Sequence, residues 1–388
     1  MATVTESFKK VVLAATLLLL PLAMAGCSEP QEAVDAAIVI QNTSGTPVWD
    51  CSVLDGTIEQ VRESNGRITV TIADANPTAK TFDFSTVSDS EINKDRMERQ
   101  VREYLQTNAD DPGCDMLQSV VVGADSVAGS NQALGVYVIG SGISDTGLLD
   151  MASSELVDNG DPSQVAQYYA AINEVPDLSW VPVITWYGFG STSGSQPAPS
   201  NAQLMVIEAL YTEVFEECGC PVAIQAVPVA TAEMRPNTLP VVKIVKFAPV
   251  VPYSVPNDKT DAGPSITEFS STQLGFVGDS VEFLDQSQAN QALSGIAELL
   301  KSDQTLVATV TCSAASYPWE EGYSQRLSEQ RAEAVCSTLI AMGVDKGQLT
   351  SIGVGSGELD DIDPSTGLQD PVKAAEKRKT VIEISKAA

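Results

Sequence analysis

Six short runs of β-branched and apolar residues, set among amphipathic patterns, constrain this chain more than any other feature. They are "AAIVIQN" (36–42), "ITVTIAD" (68–74), "SVVVGAD" (119–125), "LGVYVIGSG" (134–142), "VPVITWYGFG" (181–190) and "VAIQAVPVA" (222–230). Continuous apolar runs of this length suit strands buried on both faces. Among them, "DSEINKDRMERQVREYLQTN" (89–108) and "SNAQLMVIEALYTEVFEECG" (200–219) carry helical spacing, the second capped by Ser200 and stopped by Gly219. Strands alternating with helices predict an α/β layered domain with a largely parallel sheet over residues 36–248. The next stretch, "PVVPYSVPNDKTDAGPS" (249–265), is rich in Pro, Gly and polar residues and reads as a linker. Beyond it, residues 266–388 present strand "SVEFL" (280–284), helix 287–303, strand "TLVATVT" (305–311), helix 324–343, strand 350–357 and a closing "KRKTVIEIS" (377–385). That order predicts a second, α+β domain of βαβαββ form.

Composition removes whole classes of function. The chain carries a formal charge of −29 and no His in 388 residues. Such a surface repels nucleic acid and anionic lipid. Without His there is no Ser-His-Asp or Cys-His catalysis and no His-ligated metal. Acidic pairs such as Glu216-Glu217 and Asp360-Asp361 are adjacent in sequence, and loop charges of this kind face water. No nucleophile stands beside an evident base, so the chain reads as a non-enzyme without metal or cofactor.

The first 26 residues read as an export signal. Lys9 and Lys10 precede an apolar run from Val11 to Ala23 that is short for a membrane span. The run ends in "AMAGCS", which resembles the lipobox of bacterial lipoproteins, with Met24 where that pattern usually has a branched apolar residue. The resemblance implies lipidation of Cys27, a polar leader over 27–35 and attachment to a bacterial membrane, facing the periplasm or cell wall. An ordinary A-x-A cleavage after Ala25 fits the same letters. There are seven cysteines, and lipidating Cys27 leaves an even six: Cys51, Cys114, Cys218, Cys220, Cys312 and Cys336. In an exported protein these are expected to pair. Cys312 and Cys336 fall on adjacent elements, and a bridge there would contribute about 3 kcal/mol in the chain-entropy treatment. The other four allow three connectivities within the first domain, with Cys218–Cys220 disfavoured by its one-residue loop.

One residue of the 324–343 helix is out of place. Leu327, Val335, Leu339 and Met342 share a broad apolar face, and Arg331 lies inside it near one edge. A guanidinium does not deprotonate, so at that position it needs an anion. Glu358 and Glu383 are candidates for an internal ion pair; a ligand carboxylate is the other reading.

The segments "GYSQRLSEQRAEAV", "LIAMGV", "IGVGSGE" and "EKRKTVIEI", in this order, resemble the peptidoglycan-associating OmpA-like domain, a soluble module. The resemblance implies that Arg331 clamps a carboxylate of diaminopimelate in the peptidoglycan stem peptide, with an Asp upstream holding the ammonium. It places Arg378 and Lys379 on the family's closing basic motif and Ser324 where an Asn is usual. At the Asp position this chain has Ser316, or Ala315 if one residue is inserted. Glu320 and Glu321 are the nearest acids in sequence and become the expected substitutes. Peptidoglycan is thus the expected partner, with envelope proteins as further ones. The alternative is a protein-interaction scaffold whose OmpA-like fold has lost its ligand.

The first domain resembles, at the level of fold, a von Willebrand A-like or Rossmann-like sheet. A metal-dependent adhesion site of that kind needs Asp-x-Ser-x-Ser after the first strand. Here "VIQNTSGTP" offers Asn42 and Ser44 without the leading Asp. "GSGISDTG" (140–147) gathers Ser141, Ser144 and Asp145, which a Gly-rich turn explains better than an ion cradle.

Overall fold

The run at Ala36–Ile40 is apolar at every position because it lies at the centre of a sheet covered on both faces. The computed structural model describes residues 32–87, 90–130, 132–236, 238–247, 265–317, 319–357 and 361–387. The expected signal segment, Cys27, most of the proposed linker, Glu358 and Asp360 lie outside these residues.

Strand β1 (Asp35–Ile40) is followed by β2 (Pro47–Trp49), helix α1 (Asp55–Glu63), β3 (Arg67–Ile72) and β4 (Thr78–Asp83). Helices α2 (Glu91–Tyr104) and α3 (Met116–Ser126) lead to β5 (Ala133–Ile139). Then come α4 (Leu156–Asn159), α5 (Pro162–Ala171), β6 (Ile184–Tyr187), α6 (Asn201–Glu217), β7 (Val222–Gln225) and β8 (Ala230–Met234). Six of these strands form one sheet in the order β4-β3-β1-β5-β6-β7, parallel except for the antiparallel edge strand β4. Alternate residues of β1 divide between two cores. Ala37 and Val39 face α3, α5 and α6, while Ala36, Ile38 and Ile40 face α1 and α2. The strand order reverses between β1 and β5, so the carboxyl ends of these two strands flank the crevice where α/β sheets usually bind ligands.

The expected strand at 119–125 is instead helix α3. A continuous apolar run fits a buried helix as well as a strand, and here local chemistry decides. The Asp115 carboxylate caps the helix by accepting from the Gln118 amide at 2.9 Å. Gly123 then lets the helix sit directly on β1, where a Cβ would stand 2.7 Å from a Val39 methyl. We expect Gly123→Val to overpack this contact, costing about 1–3 kcal/mol and lowering the calorimetric melting temperature. The apolar run 222–230 likewise divides, with β8 leaving the main sheet to pair antiparallel with β2.

The second sheet is built from β9 (Ser265–Phe269), β10 (Leu306–Cys312), β11 (Leu349–Gly353) and β12 (Thr380–Lys386), in the order β11-β10-β12-β9. Between the strands run α7 (Ser271–Leu274), α8 (Gln286–Ser302), α9 (Tyr323–Ala341) and α10 (Pro371–Lys377). Ala308, Val310 and Cys312 of β10 alternate inward with Ile382 and Ile384 of β12 to meet α8 and α9. The result is an α+β layer beside the α/β one. Two expectations change. The edge of β12 is taken by β9, in register from Thr380↔Phe269 to Ile384↔Ser265. Residues 280–284 are therefore not the first strand. They belong to a loop closed by a bridge between Phe276 and Phe283, whose rings stack at 4.8 Å. Second, α10, capped by Asp370 with Pro371 at its first position, separates β11 from β12. No helix among the described residues is long and apolar enough to cross a membrane.

All six described cysteines are free thiols, which corrects the pairing expected for Cys312 with Cys336 and for Cys51, Cys114, Cys218 and Cys220. Cys51 packs against the core on one face of the six-stranded sheet, and Cys114, Cys218 and Cys220 lie in the core on the other. Any scheme that pairs all four must join Cys51 to a cysteine of the other core. The Cys312 thiol meets the Thr380 hydroxyl at 3.4 Å. Burial raises the thiols of Cys51, Cys220, Cys312 and Cys336 to about 11 and that of Cys218 to about 12. Iodoacetamide is accordingly expected to label none of them rapidly in the native protein and all six after unfolding without reductant.

Candidate functional site

Helix α9 carries Leu327, Val335 and Leu339 into the core, and this packing fixes Arg331 between them. The guanidinium of Arg331 lies 5.0 Å over the Phe276 ring. Its Nε donates to the Ser280 carbonyl at 2.9 Å and one Nη to the Val277 carbonyl at 3.3 Å. The 276–284 loop thus holds the arginine from the side, by dipoles and not by a charge. Among the described residues no carboxylate forms an ion pair with Arg331, so Glu383 is not its partner.

A second arginine faces the same space. Arg378 stands between α10 and β12, where its guanidinium donates to the Asn159 carbonyl at 3.4 Å, to Gln369 at 3.3 Å and to Gln164. Burial lowers the Arg331 pKa and the neighbouring Arg378 charge lowers it further. Burial also lowers that of Arg378, against the pull of Asp161, Asp361 and Asp279. Together they line a cavity of about 240 Å³ whose walls also include Phe276, Asp279, Tyr323 and Gln369. Two confined cations with neutral acceptors make this a place where an anion gains more than it would at the surface. Asp279 has a left-handed conformation with φ 51°, and the Tyr323 phenol pKa is raised by burial and by the Asp279 charge beside it.

The remaining expected site residues are placed differently. Ser316 donates its amide to Asp361 at 2.8 Å, and its hydroxyl accepts from Lys377 at 3.2 Å. The Lys377 ammonium and Asp361 carboxylate meet at 2.5 Å with essentially no exposure. Asp361 is therefore not the solvated loop acid that its sequence context suggests. Burial opposes its ionisation, but Lys377 and Ser316 outweigh that and hold its pKa below the ordinary carboxylate value. Ala315, next to Ser316, lines the cavity, and Ser324 donates to the Ala315 carbonyl at 2.9 Å. Glu320 is corrected as the substitute acid because it pairs with Arg326 instead of facing Arg331. Lys379 is neutralised by Glu268 at 3.0 Å and Glu155 at 3.3 Å.

The cavity also has a wall that sequence reasoning missed. Gly160, Asp161, Pro162 and Gln164, from the corner between α4 and α5, close one side of it. The same corner docks through Asn159 to the Ser271 amide at 2.7 Å and through Tyr168 to Asp363 at 3.1 Å. No local pattern in the sequence announces this, since the contact joins residues far apart in the chain.

The weaker candidates at the switch point of the first sheet are internally satisfied. Asn42 donates to the Leu105 and Thr107 carbonyls and accepts from Arg235 at 2.5 Å. Ser44 donates to the Pro240 carbonyl at 3.2 Å. Ser141 bonds Gln41, and Ser144 bonds Tyr211. Asp145 accepts from the Cys114 and Lys243 amides, each at 2.6 Å. Among the described residues no group of three or more acids or thiols is placed to hold a metal ion.

Comparison with known proteins finds a family likeness over part of the second layer. The model of the OmpA family matches residues 276–373. Among solved structures, the periplasmic domain of MotB aligns at 21% identity over 33% of this chain and 67% of that one, with a TM-score of 0.26. The peptidoglycan-associated lipoprotein of Burkholderia pseudomallei aligns at 24% identity over 28% and 86%, with a TM-score of 0.23. An outer membrane protein of Borrelia burgdorferi aligns at 23% identity over 34% and 95%, also at 0.23. No curated protein sequence matches the chain.

Proposed function

We propose that this protein binds peptidoglycan non-covalently through the cavity at Arg331 and Arg378, as a cell-envelope protein and not an enzyme. The observation that carries the reading is the pair of arginines facing one confined space without an ion-paired carboxylate among the described residues, Arg331 within the segment that matches the OmpA family and Arg378 just beyond its end. Planar guanidinium forks suit a carboxylate bidentately, and stem peptides present carboxylates. Arg331 would take the ligand carboxylate, and Arg378, not Lys379, would supply the second positive charge.

In this reading residues 36–248 form the first domain, of von Willebrand A-like or Rossmann-like type. Its support is the reversal of strand order at β1/β5 and the single antiparallel edge strand. Residues 249–265 connect it to the wall-binding domain, 266–388. The anchor is a lipid on Cys27 after removal of residues 1–26, supported by the "AMAGCS" letters. Mass spectrometry of the mature N-terminus tests that part: an unmodified peptide beginning at Gly26 would refute it.

Sedimentation of the purified protein with isolated peptidoglycan sacculi tests the binding. Retention that free meso-diaminopimelate competes away is the expected result. Protein that stays in the supernatant would instead favour the scaffold reading, in which the OmpA-like module serves protein contacts only.

A further inference from the structure

The cavity is built by both layers of the molecule, and each contributes one acid to its lining, Asp279 from the second and Asp161 from the first. Asp161 ends the α4–α5 corner, where one carboxylate oxygen caps α5 by accepting the Gln164 amide at 3.3 Å. Its other oxygen is directed at the 276–284 loop: a Cβ built on Gly278 would lie 3.9 Å from it. Asp161 lines the cavity together with both arginines and acts electrostatically on Arg378 without an ion pair to it. Asp279, the other acid of the lining, acts on both arginines from the 276–284 loop and lies beside Tyr323, and Glu320 pairs with Arg326. Asp161 is thus a lining carboxylate with one oxygen turned to the loop beside the arginines, placed to receive a cation entering there.

We infer that the first domain completes the ligand site: Asp161 receives the ammonium of a zwitterionic amino-acid head group whose carboxylate lies between Arg331 and Arg378. This deepens the peptidoglycan reading and rests on it for the identity of the natural ligand. It goes further in making the site a product of domain docking. A ligand bridging Asp161 to Arg331 holds the two sheets together, and loosening the α4–α5 corner weakens the ligand.

The test uses the full chain and two probes of the same carbon skeleton. Meso-diaminopimelate carries carboxylates and ammoniums, and pimelate carries carboxylates alone. Asp161→Asn removes the charge while keeping an equally good helix cap, and Asp161→Ser is a second capping variant without charge. By calorimetric titration, both substitutions are expected to weaken diaminopimelate about tenfold. Pimelate should bind unchanged or slightly more tightly, because a negative charge beside Arg378 has gone. An equal loss for both probes would mark Asp161 as merely structural, and no loss for either would place the ammonium elsewhere. Both results overturn the inference, as does a wild-type protein that takes neither probe. If the split between probes holds while sacculi are not retained, the peptidoglycan reading falls and this inference stands. If sacculi are retained through Arg331 and the split is absent, the reverse holds.

Discussion

Replacing Arg331 by alanine is expected to abolish retention on peptidoglycan sacculi while moving the melting temperature little. Truncating one partner of a confined charge pair costs binding 2 kcal/mol or more, about 30-fold in affinity. The small effect on stability follows from what Arg331 touches. It loses two bonds to loop carbonyls and the Phe276 face, but Arg378 is relieved of a neighbouring like charge. Arg331→Lys keeps the charge and loses the planar fork, so an intermediate retention is expected. An Arg331→Ala protein that binds sacculi as well as wild type and melts many degrees lower would show that the arginine is only a structural ion.

The arginine was legible in the sequence because a helix exposes its own exceptions. The spacing Leu327, Val335, Leu339 defines a face, and a charged residue on that face stands out by position alone. Central strands such as β1 and β5 were legible for a related reason: burial on both faces leaves no alternation to misread. Helix α3 was not, because "SVVVGAD" is equally apolar in either conformation, and the deciding groups are the Asp115 cap and the close approach of Gly123 to Val39. The 280–284 segment failed as a strand for a tertiary reason, since β9 already occupies the β12 edge. Asp161 was the least legible. Its role depends on how the α4–α5 corner meets the Arg378 turn, and nothing near it in the chain encodes that meeting. Sequence distance alone points to Glu320 and Glu321 as the acids nearest Arg331, while the structure pairs Glu320 with Arg326.

Behind the site, a buried ion pair supports the turn that presents Ser316 and Arg378, and its loss should have the largest effect on folding. Lys377→Met would leave the Asp361 carboxylate buried with only the Ser316 amide and hydroxyl to support its charge. Breaking a buried pair in this way costs about 3–5 kcal/mol. The pH dependence carries a further signature. In the wild type the folded-state pKa of Asp361 is lowered, so its contribution is present above the ordinary carboxylate value and is lost as pH falls through the folded pKa. In Lys377→Met burial acts unopposed by an ammonium and raises that pKa above its unfolded value near 4. Stability from this group then holds at low pH and is lost as pH rises. The gap between variant and wild type, measured by denaturant unfolding, should therefore be widest near neutral pH and narrow on acidification toward about pH 4. A double variant, Asp361→Leu with Lys377→Met, should recover much of the loss, since paired replacement by apolar groups is often neutral. A Lys377→Met protein as stable as wild type at neutral pH, or a gap that widens on acidification, would refute the buried pair as the support of this turn.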